Sequence, residues 1–364
     1  MNRNASLDWI RVTALFNLIS FHFFYYIEFY NAPVVGINMF LMCAMRSLFT
    51  TCIPLFLLLT GYLMCDKVLS KGYYKKCLRT IWIYVLASLV SALYQFIVGG
   101  TTTSVYAFLK TLFNFSGCPY AWYVELYLGL FLLIPFLNIL YKNIPSKEWK
   151  IGLLITMLVL TALPSVLNVY QFDSAKWWHQ PQMSQDYFKL VPAWWVGIYP
   201  VTYYFIGSYV REYGIKIRRL WNVVGIIAFM LVMGSYSYWR STPGMFDWGL
   251  WTDWSSLANV VMGVLVFGFW VNQDIKKTKG SHVLEWLSKC VFGAYLLSWI
   301  AEDVVYNHLL NPNIEIASRV IYYPLVLIIV LISIALSSVI NVIFDGVVYA
   351  LGRCENKIND YFTV

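Results

Sequence analysis

Two ionisable side chains, Arg11 and His22, stand eleven residues apart in SLDWIRVTALFNLISFHFFYYIEFY, a stretch otherwise mostly apolar. On a helix that spacing turns through about 1100°, about 20° past three full turns, and rises about 16 Å, so the two groups share one face. An imidazole set deep in such a helix is a candidate general base for a hydroxyl nucleophile. The competing reading is a core histidine that hydrogen-bonds between helices. Asp8, three residues before Arg11, is placed to pair with it. Both charges would also serve as anchors at a membrane surface.

Other polar groups interrupt apolar runs in the same way. Glu125, in CPYAWYVELYLGLFLLIPFLN, reaches a depth similar to that of His22, and a carboxylate beside an imidazole fixes its tautomer and raises its basicity. Glu302 and Asp303, in SWIAEDVVY, are rivals for that role. Arg46, in NMFLMCAMRSLFTT, lies deeper and calls for a carboxylate (Glu125 or Glu302), a lipid phosphate or an anionic ligand. Lys75, Lys76 and Arg79, in CDKVLSKGYYKKCLRT, share one helical face and suit the phosphates of a nucleotide-containing donor. The same cluster also satisfies the preference for basic residues in cytoplasmic loops. Trp177, Trp178, Trp194 and Trp195 suit either stacking on sugar rings or an aromatic belt at the membrane surface. His179, His282 and His308 read as ordinary polar residues, and no cluster has metal-ligand spacing.

The elements that must hold these groups are membrane helices. The chain of 364 residues is 60 % hydrophobic and 12 % charged, with mean hydropathy +0.63, about half the charge of a soluble domain. Ten apolar runs approach the length needed to span a bilayer, at 7–29, 37–64, 79–98, 120–141, 150–170, 192–211, 220–239, 255–272, 288–306 and 318–344. The second contains Pro54 and is expected to tilt or break there. Most of the 26 basic residues fall in alternate connections and at the two ends, which predicts both termini in the cytoplasm. The reading is an all-α polytopic membrane protein of about ten transmembrane helices, forming one membrane domain over residues 1–364. The net charge of +8 is spread between hydrophobic runs, which argues against nucleic acid as a partner. The seven cysteines form no C-x-x-C pair and read as packing residues.

Taken together, these stretches resemble the acyltransferase-3 family of integral membrane acyltransferases. LDWIRVTALFNLISFH is similar to its first-helix motif, in which an Arg or Lys and a His are separated by ten residues. PLFLLLTGYLM resembles its F-x-x-S/T-G-F/Y motif, KKCLRTIWIYVL its basic loop, AWYVELYLGLFLLIPFLN its W-x-x-x-x-x-x-G-L-Y-L-x-x-P signature, and YFIGSYV a further conserved-type stretch. The resemblance implies transfer of an acyl group, usually acetyl, from cytoplasmic acyl-CoA to a hydroxyl of an extracytoplasmic or lipid-linked glycan. His22 would be the base, with Glu125 orienting it and Arg11 on its face. Lys75, Lys76 and Arg79 would hold the acyl-CoA phosphates, and Arg46, Tyr62 and Trp122 would serve the acceptor or the oxyanion. Thr60, Gly61 and Tyr62 would let helices approach closely. The resemblance further implies the cytoplasmic membrane of a bacterium, membrane lipid around the helices, and a stand-alone member without an esterase-like domain. Many relatives carry a second histidine in a Y-L-x-H stretch, where this chain has Ser298 in YLLSW. A secondary transporter or flippase is the alternative class, since buried charges also suit transport pathways. It would show pseudo-symmetric halves, which the sequence lacks. A sensor or scaffold that has lost catalysis is a third.

Overall fold

A computed structural model describes residues 5–102, 104–273 and 281–362, and the regular structure of the described residues is all helical, with no strand. Arg3, Lys276, Lys277 and Lys279, part of the orientation argument, lie outside the described residues, as do the side chains of Lys71, Arg353 and Lys357. Eight helical segments among the described residues are long and apolar enough to cross a membrane. The chain is a multi-pass membrane protein. Two of the ten expected spans fold shorter: Lys147–Thr161 and Tyr199–Tyr213 are helices of 15 residues each, about 22 Å at 1.5 Å per residue, against a core of about 30 Å. Beyond Thr161 the chain turns, and Pro164 opens a separate short helix, Pro164–Leu167.

The contacts separate two compact units. The first comprises Met1–Leu69, Leu133–Ser288 and His308–Val326. Its core is α1 (Ala5–Tyr26), α2 (Ile37–Phe49) and α3 (Cys52–Met64), packed with Tyr199–Tyr213, Arg219–Ser241 and Leu257–Val271. The expected break in the second run falls at Thr50–Thr51, between α2 and α3. Pro54 lacks the N–H that would bond the Thr50 carbonyl, and its ring crowds that oxygen, so the helix restarts one turn earlier. Gly61 performs the close approach expected of it: a Cβ there would collide with the Tyr204 carbonyl, and one on Gly207 would collide with that of Leu58. Bare backbones therefore meet where α3 packs on Tyr199–Tyr213. Beside this contact the Asn138 amide donates to the carbonyls of Met64 (2.8 Å) and Lys67 (2.7 Å) and accepts from the Tyr204 hydroxyl (2.6 Å). That knot satisfies carbonyls left over at the end of α3.

The second unit comprises Ser70–Leu132, Lys289–Asn307 and Leu327–Val364. It contains the helices Lys71–Lys75, Cys77–Gly99 and Val105–Phe113. Serine side chains cap Lys71–Lys75 and Val105–Phe113 through Ser70 and Ser104. Gly117 lies so close to Ser88 that a Cβ would strike its hydroxyl. The Tyr73 hydroxyl donates to the Phe131 carbonyl at 2.5 Å, its ring stacked on that of Phe131.

Candidate functional site

α1 runs unbroken from Ala5 to Tyr26, so Arg11 and His22 do share a face. Of the four histidines, His22 alone is buried, at 8 % exposure, while His179, His282 and His308 are exposed. Its ring lies edge-on to that of Phe21, 6.5 Å between centroids. Polar neighbours on α1 are also buried: Asn17 donates to Thr51 Oγ1 (3.0 Å), and Ser20 shares a hydrogen bond with Tyr323 (3.1 Å). Near the start of the helix the Arg11–Asp8 pair forms as its spacing predicts, with Nη1 2.8 Å from Oδ1. Asp8 is 3 % exposed and also accepts from the Ser288 hydroxyl at 2.7 Å. Arg11 thus has a carboxylate partner within its own helix and also donates to the Ser288 hydroxyl at 3.2 Å.

Four basic side chains are buried among the described residues: Arg46, Lys150, Arg240 and Arg319. Three have a carboxylate in reach. Lys150 meets Glu212 at 2.8 Å, Arg240 meets Asp247 at 3.3 Å, and Arg319 meets Glu28 at 2.6 Å. Arg46, 3 % exposed, makes no ion pair within 4 Å among the described residues; the carboxylate of Asp253, in the same unit, acts on it only at longer range. Its Nε donates to the Tyr30 hydroxyl at 2.9 Å. The guanidinium carbon lies 4.5 Å from the ring centre of Phe246, 4.7 Å from Trp248, 5.1 Å from Phe21 and 5.7 Å from Tyr30. Rings of that polarity stabilise a cation without neutralising it. Arg46 also lines a cavity of about 20 Å³ whose polar wall is Ser47, Thr50, Ser237, Thr252 and Asn259. That volume holds about one water-sized atom. Phe21 touches both Arg46 and His22.

Tyr62, grouped with Arg46 at the sequence level, is set apart from it. It lies near the far end of α3, its hydroxyl accepting from Arg211 Nη1 at 3.3 Å beneath that residue's guanidinium. In the second unit, Lys75, Lys76 and Arg79 are exposed. The helix is interrupted at Lys76, so Lys75 ends Lys71–Lys75 while Arg79 sits in Cys77–Gly99, over the ring of Phe344 at 5.5 Å. Trp122 opens the helix Trp122–Lys142, edge-on to Tyr123. Glu125, in the first turn of that helix, is exposed and has no hydrogen-bond or ion-pair partner among the described residues. The buried carboxylate of this unit is Glu302, at 0 % exposure, accepting from the Tyr120 hydroxyl at 2.6 Å. Asp303 accepts from Tyr94 at 2.6 Å. Ser298 is fully buried and donates to the Tyr295 carbonyl of its own helix.

Sequence reasoning gave Arg240 no role. Arg240 is fully buried, donating to the Val169 carbonyl (2.9 Å) and to the hydroxyls of Tyr187 (2.8 Å) and Tyr236 (3.2 Å), and stacked on Trp251 at 3.7 Å. Trp177 is 3 % exposed and walls the same cation, which makes it a packing residue, while Trp194 is 89 % exposed. Asp247 lies in the connection after Arg219–Ser241, and burial raises its carboxyl above the ordinary range although Gln185 and Arg240 pull it down. Its position seven residues after Arg240 was the available signal.

Residues 4–339 match a family model described as an acyltransferase domain. No curated protein and no solved structure matches the chain.

Proposed function

Since the chain belongs to the acyltransferase-3 family and is a membrane acyltransferase, we propose that it moves an acyl group, acetyl in the simplest case, from acyl-CoA to a hydroxyl of an extracytoplasmic or lipid-linked glycan. The observation that carries this reading is His22, the one buried imidazole in a protein whose remaining histidines are all exposed. Acyl transfer to an alcohol requires removal of the hydroxyl proton as the oxygen attacks the thioester carbonyl. A positioned imidazole does this at neutral pH, contributing a factor of about 10²–10⁴. The proton passes to His22 and then to the departing thiolate of CoA, so the base is regenerated. Arg11, held by Asp8 and Ser288, positions the helix that carries His22. The exposed cations Lys75, Lys76 and Arg79 suit the nucleotide phosphates of the donor, as ammonium and guanidinium groups do. Glu302 takes precedence over Glu125 as the functional carboxylate, because a carboxyl kept from solvent and hydrogen-bonded is the costlier one to maintain. The setting is the cytoplasmic membrane of a bacterium, with both termini inside.

The test is acyl transfer in proteoliposomes loaded with radiolabelled acetyl-CoA and supplied with glycan outside. His22→Ala is expected to lower turnover by about 10²-fold or more without changing thermal unfolding. Turnover equal to wild type in that variant removes the base from the scheme.

A further inference from the structure

From the four buried cations we infer that Arg46 is the binding site for an anionic group on the acceptor, a carboxylate or phosphate borne by a saccharide; this rests on the acyltransferase reading and names its substrate class. Lys150, Arg240 and Arg319 show how this protein treats a cation that serves the fold: each is given a carboxylate. Arg46 is as deeply buried and makes no ion pair within 4 Å among the described residues, the only carboxylate acting on it being the exposed Asp253 at longer range. Its direct contacts are one phenol and four aromatic ring faces, which hold a guanidinium in place and leave it without a salt-bridged oxygen. The polar cavity it lines has room for one oxygen atom, with hydroxyls and an amide from Ser47, Thr50, Ser237, Thr252 and Asn259 around it. Such a setting suits the oxygen of a carboxylate or phosphate, which pairs with guanidinium through charge-assisted hydrogen bonds.

The saccharide follows from the collar. Phe21 and Phe246 are buried at 6 % and 5 % exposure, whereas Trp248, 4.7 Å from the guanidinium, is 43 % exposed, and Tyr25, against Tyr30 at 4.8 Å, is 50 % exposed. The aromatic surround therefore reaches the protein surface on one side, through the indole of Trp248 and the phenol of Tyr25. Amphipathic rings of that kind cover the apolar face of a sugar while its charged substituent reaches the cation. A neutral sugar would leave Arg46 without its counter-charge.

The experiment is titration of the purified protein in lipid nanodiscs, read by tryptophan fluorescence, with methyl glucuronide, glucose 1-phosphate, methyl glucoside and inorganic phosphate. At least one charged sugar is expected to bind about tenfold or more tighter than methyl glucoside, and the better of the two identifies carboxylate or phosphate. Arg46→Gln is expected to erase the preference and Arg46→Lys to retain part of it, both with cooperative thermal unfolding. Equal affinity for charged and neutral sugars overturns the proposal. So does saturable binding by none of the four, binding by inorganic phosphate alone, or a preference that survives Arg46→Gln. His22→Ala should keep the preference. Loss of acyl transfer to the bound sugar in the wild type would strike the acyltransferase reading and leave the anion site standing.

Discussion

Two buried guanidinium groups have one indole, Trp251, in their surroundings and are otherwise met differently. Trp251 carries Arg240 3.7 Å above its ring and also lines the cavity shared by Arg46. Both cations are caged by aromatic rings and both are kept from solvent. Arg240 is closed off by a carboxylate, a carbonyl and two phenols, and it ties the segment around Val169 and Tyr187 to the end of Arg219–Ser241. Arg46 has a single phenol and an opening. A buried charge is expensive unless it is paired. Where the chain supplies the partner, the charge serves the fold; where it does not, the partner must come from outside.

Removing Arg240 is the largest test of that contrast. Arg240→Met strands the Asp247 carboxylate in a buried site with Gln185 alone, and loses the bonds to Val169, Tyr187 and Tyr236. The expected loss is about 3–5 kcal/mol, read from chemical unfolding in detergent. The double variant Arg240→Met/Asp247→Leu should recover most of it, because paired removal eliminates the stranded charge. The pH dependence has a definite sign. Asp247 already has its carboxyl raised by burial, and losing Arg240 raises it further. A carboxyl raised in the folded state gives stability that is present below its unfolded value and lost as pH rises through the folded one. The deficit of Arg240→Met should therefore be greatest at neutral pH and shrink on acidification toward 3.8. A deficit independent of pH would deny Asp247 that role.

Arg46→Met should behave differently. It loses attraction to the surrounding rings, about 0.5–2 kcal/mol when desolvated, and relieves the burial of a cation with no salt-bridged carboxylate. The net change in stability is expected to stay below about 2 kcal/mol. Its effect should appear in acceptor use, as a KM raised about 10–100-fold with kcat near wild type, the pattern of lost ground-state binding. An equal fall in kcat and kcat/KM would instead place Arg46 at the oxyanion. A stability loss as large as that of Arg240→Met would erase the distinction between the two sites.

How much of this was legible depends on the range of the interaction. The pairing of Asp8 with Arg11 and their shared face with His22 follow from helix geometry over a few turns, and α1 realises both. The interruption near Pro54 is likewise local, although its place shifts to Thr50–Thr51 because proline disturbs the turn before it. Arg46 was recognisable as a cation in need of a partner, but the absence of one emerges only when distant segments are folded around it. The Arg240 cage is the extreme case, assembled from Val169, Trp177, Tyr187, Asp247 and Trp251, which no periodicity connects. Depth along a helix did not separate Glu125 from Glu302. That Glu302 is buried and Glu125 exposed is a property of packing.

The smallest effect belongs to an ion pair at the protein surface, and it closes the series by showing what pairing contributes without burial. Lys142 Nζ lies 3.0 Å from Asp66 Oδ1, with side chains 50 % and 74 % exposed. The hydrogen bond from Lys142 holds the Asp66 carboxyl below its ordinary 3.8, the opposite direction to Asp247. The linkage reverses accordingly: its contribution is present above 3.8 and lost as pH falls through the folded value. Asp66→Asn should cost under about 1 kcal/mol at pH 7, less in high salt, because water screens both groups. Acidification should thus close the gap between wild type and Asp66→Asn by weakening the wild type, and close that of Arg240→Met by strengthening the variant. Parallel unfolding series for the two variants would separate burial from pairing as the origin of each slope, and slopes of one sign for both would mean that the cage around Arg240 is not dry.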